Sequence, residues 1–124
     1  MVGPARIEGD VAPDLPISLR RVLTAYRRAL QERFGDRILV ARLFGSYGRG
    51  DASPDSDADV CVVVADLTES ERTEVIDLAF DAWHSCGAQG PLPAALAWSE
   101  VQWRDRLDSE RRIAQDIDRE GFAL

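Results

Sequence analysis

A glycine-rich segment contains the residues best suited to hold an anion. Residues 43–50 read Leu-Phe-Gly-Ser-Tyr-Gly-Arg-Gly, so three glycines and a serine lie within six positions. Backbone of this kind can approach a ligand closely and point its N–H groups at an anion. A helix that opens at Ser46 would add positive partial charge, and the Ser46 hydroxyl lies at the same spot. The segment predicts a phosphate-binding turn at Gly45 and Ser46. For Arg49, a phosphate contact and a structural ion pair remain equal alternatives.

Two carboxylates follow this turn at the start of an apolar run. Asp57 and Asp59 are two residues apart, and the run from Asp57 to Ala65 is otherwise rich in valine. In a strand, alternation places both aspartates on one face, with Cα atoms about 6.6 Å apart. Carboxylates at the head of a buried strand are costly without a cation, and Mg²⁺ is commonly held by one or two of them together with substrate phosphates. The two aspartates can converge on one divalent cation or bracket a pair of cations, and they predict a magnesium site.

The elements that must position these residues are read from periodicity and caps. Apolar residues recur at helical spacing over Ile17–Phe34 and over the helix that ends near Ser85, which Thr68 and Glu71 open as a capping box. A second capping box at Ser99 and Gln102 predicts a helix from Glu100, with Trp98 and Trp103 in contact across the cap. The remaining elements are strands over Ile38–Phe44, Asp57–Ala65 and Leu92–Trp98, the middle one in the sheet interior, and a last helix over Glu110–Glu120.

Composition and length restrict the class of protein. The 124 residues predict one α/β domain over 15–124 after a flexible N-terminus at 1–14. All fifteen basic residues are arginine, which excludes lysine nucleophiles and the P-loop lysine. One histidine and two cysteines do not make a zinc cluster, and a net charge of −7 argues against binding duplex nucleic acid as the main task. With no apolar run of membrane-spanning length and no secretory signal, we expect a cytoplasmic protein.

The turn and the aspartate pair together resemble the minimal nucleotidyltransferases of the polymerase-β superfamily. The signature of that family is Gly-Ser, ten intervening residues and then Asp-x-Asp, and Gly45-Ser46 and Asp57-Ala58-Asp59 match it without a gap. The Leu-Phe lead-in, Arg49-Gly50 and the aliphatic strand after Asp59 agree as well. The motif covers about a fifth of the chain, and the predicted order of elements suits the family over most of the rest.

The resemblance implies a fold, cofactors and a partner. The fold would be an α/β (α+β) domain, a small mixed β-sheet backed by helices. Mg²⁺ and ATP would be bound, with Gly45 and Ser46 at the β- and γ-phosphates and Asp57 and Asp59 as metal ligands and catalytic residues. Members of this size are commonly paired with a small helical HEPN-type protein, and characterised pairs transfer AMP to a tyrosine of that partner and silence its ribonuclease activity.

One feature of active members is missing from this sequence. They have a third carboxylate on a later strand, which completes the metal site. Here the corresponding strand, Leu92–Trp98, contains no acid, and Ala95 or Ala97 is expected in its place. Glu100, Asp77 and Asp81 are near in sequence, but the sequence does not bring them to the site.

Two functions from different classes follow. The first is a Mg²⁺-dependent nucleotidyltransferase that moves AMP from ATP to a hydroxyl of a HEPN-type toxin and so acts as its antitoxin. The alternative is a degenerate domain that neutralises its partner by contact without chemistry, which the missing acid favours. Transfer to a small molecule such as an aminoglycoside is a weaker third hypothesis, because no second substrate-binding domain is evident.

Overall fold

A computed structural model describes residues 15–45, 57–108 and 122–123 of the chain. The predicted flexible N-terminus at 1–14 and the predicted helix Glu110–Glu120 lie outside these residues. Within them, no helix is both long and apolar enough to cross a membrane. The helices are α1 (Ile17–Phe34), α2 (Glu69–Ser85) and α3 (Glu100–Asp108), and the strands are β1 (Ile38–Phe44), β2 (Ala58–Val64), β3 (Pro93–Ser99) and β4 (Phe122–Ala123).

The strands form one mixed sheet in the order β3-β2-β1-β4. Strand β2 pairs antiparallel with β1 and parallel with β3, so the prediction of an interior position for this valine-rich run is confirmed. The predicted fold class, a small mixed sheet backed by helices, is also confirmed. Strand β4 was not predicted, because two residues show no periodicity and their pairing with Arg42 and Leu43 of β1 is not local in sequence.

The main core lies between one face of the sheet and helices α1 and α2. Strand β2 sends alternate residues into this core, and α1 contributes its predicted apolar stripe. The Tyr26 hydroxyl of α1 donates a 2.7 Å hydrogen bond to the carbonyl of Val75 in α2, so the one polar atom of this buried ring is satisfied. The β2 residues in this core are Ala58, Val60, Val62 and Val64.

The opposite face of the sheet is the carboxylate face, defined by Asp59, Cys61 and Val63 of β2. Cys61 and Val63 form a second apolar cluster with Trp98 of β3. Trp103 of α3 covers this cluster, with its ring centroid 5.5 Å from that of Trp98, as the second capping box predicted. Alternation places Asp59 on the same face, at the end of β2 away from the tryptophans.

Both capping boxes are present, and the second one also provides hydrogen bonds to the edge strand β3. The Ser99 N–H donates to the Gln102 side-chain oxygen at 3.0 Å, and the Gln102 N–H donates to the Ser99 hydroxyl. Arg72 of α2 donates to the same Gln102 oxygen and to the carbonyl of Ala97 on edge strand β3. These bonds occupy edge groups that would otherwise be open to pairing with another strand.

An ion pair holds the first turn of α2 against the 3-10 turn Gly35–Arg37 that follows α1. Arg37 makes two hydrogen bonds to the carboxylate of Glu71, at 2.7 and 3.0 Å, and the Thr68 N–H donates to the same carboxylate at 3.1 Å. The Arg37 bonds and the Thr68 backbone bond hold the pKa of Glu71 at about 2, below its ordinary value of 4.5. Glu71 is therefore both a helix cap and an anchor between two elements.

This depressed pKa predicts an acid-dependent loss of stability. The stabilisation is fully present above pH 4.5, the ordinary pKa, and is lost as the pH falls toward 2, because protonation breaks the bonds to Arg37. We expect Glu71→Gln to lower the Tm at neutral pH and to flatten the dependence of Tm on pH over this window. Glu69→Gln, at a carboxylate that is 88% exposed, is the matched control and should change neither. Equal effects of the two variants would contradict the assignment.

Candidate active site

The aspartate pair lies where β2 begins, between the end of β1 and the start of β3. Asp59 is paired with Phe44 of β1 on one side and with Ala94 of β3 on the other. Asp57 immediately precedes the strand and is exposed, whereas Asp59 is partly buried. The predicted metal ligands therefore lie at an open end of the sheet, next to the turn that leaves β1.

Gly45 lies directly against the carboxylate of Asp59. Its φ is +71°, in the left-handed region, and a Cβ at this position would lie 2.5 Å from Oδ2 of Asp59. Real Cβ atoms essentially never approach an oxygen this closely, so only glycine fits without moving the aspartate. The structure thus brings together the first residue of the predicted phosphate turn and the second predicted metal ligand. Ser46 and Arg49 lie outside the described residues.

This contact predicts that Gly45→Ala impairs the site more than the fold. The left-handed φ alone costs about 1–2 kcal/mol with any side chain, and the added methyl group must also displace the Asp59 carboxylate. Gly35→Ala is a matched control, because Gly35 has φ +56° and a Cβ added there would have nothing within 4 Å. We expect both variants to lose Tm because of the left-handed φ, with Gly45→Ala losing at least as much as Gly35→Ala. Only Gly45→Ala should lose Mg²⁺-dependent ATP binding, measured by calorimetry; equal binding by the two would contradict the contact.

The register corrects the predicted place of the missing third carboxylate. Ala95 and Ala97 lie on the face of β3 that packs against the helices, in the main core. They are not where an acid could reach Asp59. The β3 residue beside Asp59 is Ala94, which is exposed, and the next residue on the carboxylate face is Leu96 beside Cys61. The prediction of Ala95 or Ala97 was wrong by one residue, which in a strand changes the face.

The other acids considered for this role lie elsewhere. Glu100 is at the far end of β3, where its carboxylate accepts the Asp66 N–H at 2.9 Å. That bond is the largest cause of the lowered pKa of Glu100. Asp77 and Asp81 are exposed on α2, on the other side of the sheet. Among the residues that the structure describes, no three His, Cys, Asp or Glu side chains are grouped to hold a metal. The described site is therefore a two-carboxylate site.

Arg42 is a candidate that the sequence reasoning missed. It lies on β1 between Val40 and Phe44, which belong to the carboxylate-face cluster, and it pairs with Cys61. Its charge is near enough to act on the Cys61 thiol, whose pKa burial raises to about 12 and Arg42 lowers in part. Arg42 is thus a cation on the carboxylate face, two residue pairs from the pair that Phe44 makes with Asp59. The sequence contained a signal for this position. Arg42 is two residues before Phe44, so alternation in a strand places both residues on one face.

Comparisons with known proteins show which proteins this chain is similar to. The model of the nucleotidyltransferase domain family matches residues 23–91, which is more than half of the chain. The chain is 48% identical over 44 residues to protein adenylyltransferase MntA of Thermococcus cleftensis, a match that covers 36% of this chain and 42% of that protein. It thus spans less than half the length of that relative. A crystal structure assigned to a nucleotidyltransferase of Sulfolobus solfataricus aligns over 77% of this chain and 84% of the other, with 16% identity and a TM-score of 0.38.

The matched region contains α1 from Leu23 onward, β1, β2, α2, Gly45 and both aspartates. The chain therefore belongs to the nucleotidyltransferase domain family, and the resemblance to minimal nucleotidyltransferases that Gly45-Ser46 and Asp57-x-Asp59 indicated is confirmed.

Proposed function

We propose that this chain transfers AMP from ATP to a hydroxyl of a partner protein, a small helical protein of the HEPN type, and acts as its antitoxin. The contact between Gly45 and Asp59 is the observation that carries the proposal, because it joins the anion-binding turn to the carboxylate pair. The name of the Thermococcus relative, a protein adenylyltransferase, supports a protein as the acceptor.

The residues present fit a divalent cation with a bound triphosphate. Asp57 and Asp59 offer oxygen ligands at an open end of the sheet, and hard cations such as Mg²⁺ prefer oxygen. Gly45 brings bare backbone against Asp59, so a phosphate held by the turn lies beside the same carboxylate. Bound Mg²⁺ would neutralise negative charge on the phosphates as it moves to the leaving group.

The transfer forms one bond and breaks one. The acceptor oxygen bonds to the α-phosphorus, the bond from that phosphorus to the bridging oxygen breaks, and pyrophosphate leaves. The hydroxyl proton passes to solvent, because Ala94 occupies the position beside Asp59 from which a third carboxylate would receive it. The main contributions of the chain are then to position the triphosphate and to offset its charge.

Arg42 helps to offset the negative charge of the triphosphate. A guanidinium on the carboxylate face, two residue pairs from Asp59, attracts the anionic nucleotide. We expect Arg42→Gln to weaken ATP binding about tenfold, whereas the control Arg104→Gln, at an exposed arginine of α3, should bind ATP like the wild type. Calorimetric titration with ATP and Mg²⁺ measures both variants. Unchanged affinity in Arg42→Gln would remove Arg42 from the site.

A second function is favoured by one observation, the alanine at position 94. A chain with two carboxylates can bind the partner and silence it by contact alone, without transferring a nucleotide. The two functions make different demands on Asp59, because contact does not require a metal ligand.

The deciding experiment combines the protein, ATP labelled at the α-phosphate, Mg²⁺ and a purified HEPN-type partner. Transfer predicts label in the partner and a mass increase of one AMP, both absent with Asp57→Ala. With ATP labelled only at the γ-phosphate, the mass increase should remain and the label should leave with pyrophosphate. Silencing of the partner without any mass increase, unaffected by Asp57→Ala, would replace the first function by the second. Neither transfer nor silencing would contradict both.

A further inference from the structure

Helices α1 and α2 form a layer with opposite charges side by side. Helix α1 contains five arginines and one glutamate, a net charge of +4, and α2 contains five acids and one arginine, a net charge of −4. The helices lie next to each other on the same face of the sheet, joined by the Tyr26–Val75 hydrogen bond and by a 2.8 Å ion pair from Arg33 to Glu74.

The outward surface of this layer keeps the same separation of charge. Arg21 and Arg28 are exposed on α1 and lie seven residues apart, so both are on one side of that helix. Asp77 and Asp81 are exposed on α2 and lie four residues apart, also on one side. Phe80 lies next to this acidic pair with 47% of its surface exposed. Arg21 and Arg28 form the basic strip, and Asp77, Asp81 and Phe80 form the acidic strip.

The two helices run antiparallel, and this fixes the height of each strip, that is, its position along the helix axes. Ser18 near the start of α1 lies against Gly90 beyond the end of α2, and Tyr26 is level with Val75. Both helices rise about 1.5 Å per residue. Arg21, five residues before Tyr26, is therefore level with Phe80, five residues after Val75.

We propose that this layer is the interface of a two-fold dimer, in which α1 of each copy packs on α2 of the other. A two-fold axis parallel to the helices exchanges the two strips and keeps every residue at its height. Arg21 of one copy then meets Phe80 and Asp81 of the other, and Arg28 lies one turn from Asp77. Each interface contains this set of contacts twice, with the guanidinium of Arg21 over an aromatic ring.

A second copy of this chain is the occupant that the charges favour. A partner that neutralises both strips must present acidic groups opposite α1 and basic groups opposite α2, at matching positions along the helix axes. The chain itself provides that pattern, and a two-fold axis makes it self-complementary. The carboxylate face is on the other side of the sheet, so dimerisation leaves Asp59 and Ala94 accessible. The proposal is independent of the proposed function.

Sedimentation of charge-reversal variants tests the dimer. At micromolar concentration and low salt, the wild type should sediment at twice the chain mass of 13.7 kDa. Arg21→Glu/Arg28→Glu makes both strips acidic, and Asp77→Arg/Asp81→Arg makes both basic. We expect each variant alone to be monomeric, with the dimer dissociation constant raised at least about tenfold. An equimolar mixture of the two should restore the dimer, because each acidic strip then faces a basic one.

Matched controls are single reversals at exposed charges outside the layer, Arg104→Glu and Asp36→Arg, which should dimerise like the wild type. Circular dichroism of each variant checks that the fold is retained. A monomeric wild type at these concentrations would overturn the proposal. If the reversals instead weaken binding of a different protein to a monomeric wild type, the surface is a docking site for that protein and the dimer is wrong. A dimer that survives both double reversals, or a mixture that stays monomeric, would overturn it too.

Discussion

Asp59→Asn should reduce the rate of nucleotidyl transfer by a factor on the order of 10²–10⁴. The substitution keeps the shape of the side chain and its place between Phe44 and Ala94, but it removes the negative charge that binds a cation. The amide has the same size as the carboxylate, so it leaves room for the backbone of Gly45. The loss is therefore electrostatic rather than structural. Label transfer from α-labelled ATP measures the rate.

Binding and stability separate this loss from unfolding. Asp59→Asn should abolish the part of ATP affinity that depends on Mg²⁺, and a cooperative thermal transition of the metal-free variant checks that it is folded. Asp36→Asn removes a carboxylate from an exposed turn and serves as the matched control for charge. If Asp59→Asn transfers AMP at the rate of this control, Asp59 is not a metal ligand of the reaction.

Ala94→Asp should raise the rate of transfer, by about 10²-fold or more. Ala94 is exposed, and it is the β3 residue registered beside Asp59. Neighbouring strands lie about 4.8 Å apart, so an aspartate here would join Asp57 and Asp59 at one cation and could accept the proton of the acceptor hydroxyl. A third carboxylate also increases repulsion when no metal is bound.

That repulsion gives this variant a second measurement. Ala94→Asp should have a lower Tm than the wild type without Mg²⁺, and Mg²⁺ should raise its Tm more than it raises that of the wild type. Ala94→Asn is the matched control, since it adds the same volume without charge. If the aspartate and asparagine variants respond equally to Mg²⁺ and transfer at equal rates, position 94 does not face the cation site.

The sequence by itself determined the features that depend on local patterns. The order of helices and strands from Ile17 to Glu100 follows from apolar periodicity. Each of the two capping boxes lies within four consecutive residues of its own. The spacing of Gly45-Ser46 to Asp57-x-Asp59 was enough to indicate the family, because a turn and the strand after it are joined by a short stretch of chain. The interior position of β2 followed from valines on both faces.

Only the tertiary structure decided which residues of neighbouring strands share a face. A shift of one residue reverses every side chain of a strand, so the sequence placed the missing acid at Ala95 or Ala97 where the register gives Ala94. Arg42 lies on the carboxylate face because the register of β1 and β2 pairs it with Cys61. The pairing of basic α1 with acidic α2 also depends on contacts between residues far apart in the chain, such as Tyr26 and Val75, which are separated by 49 positions. Such contacts form by packing, for which local sequence patterns contain no signal.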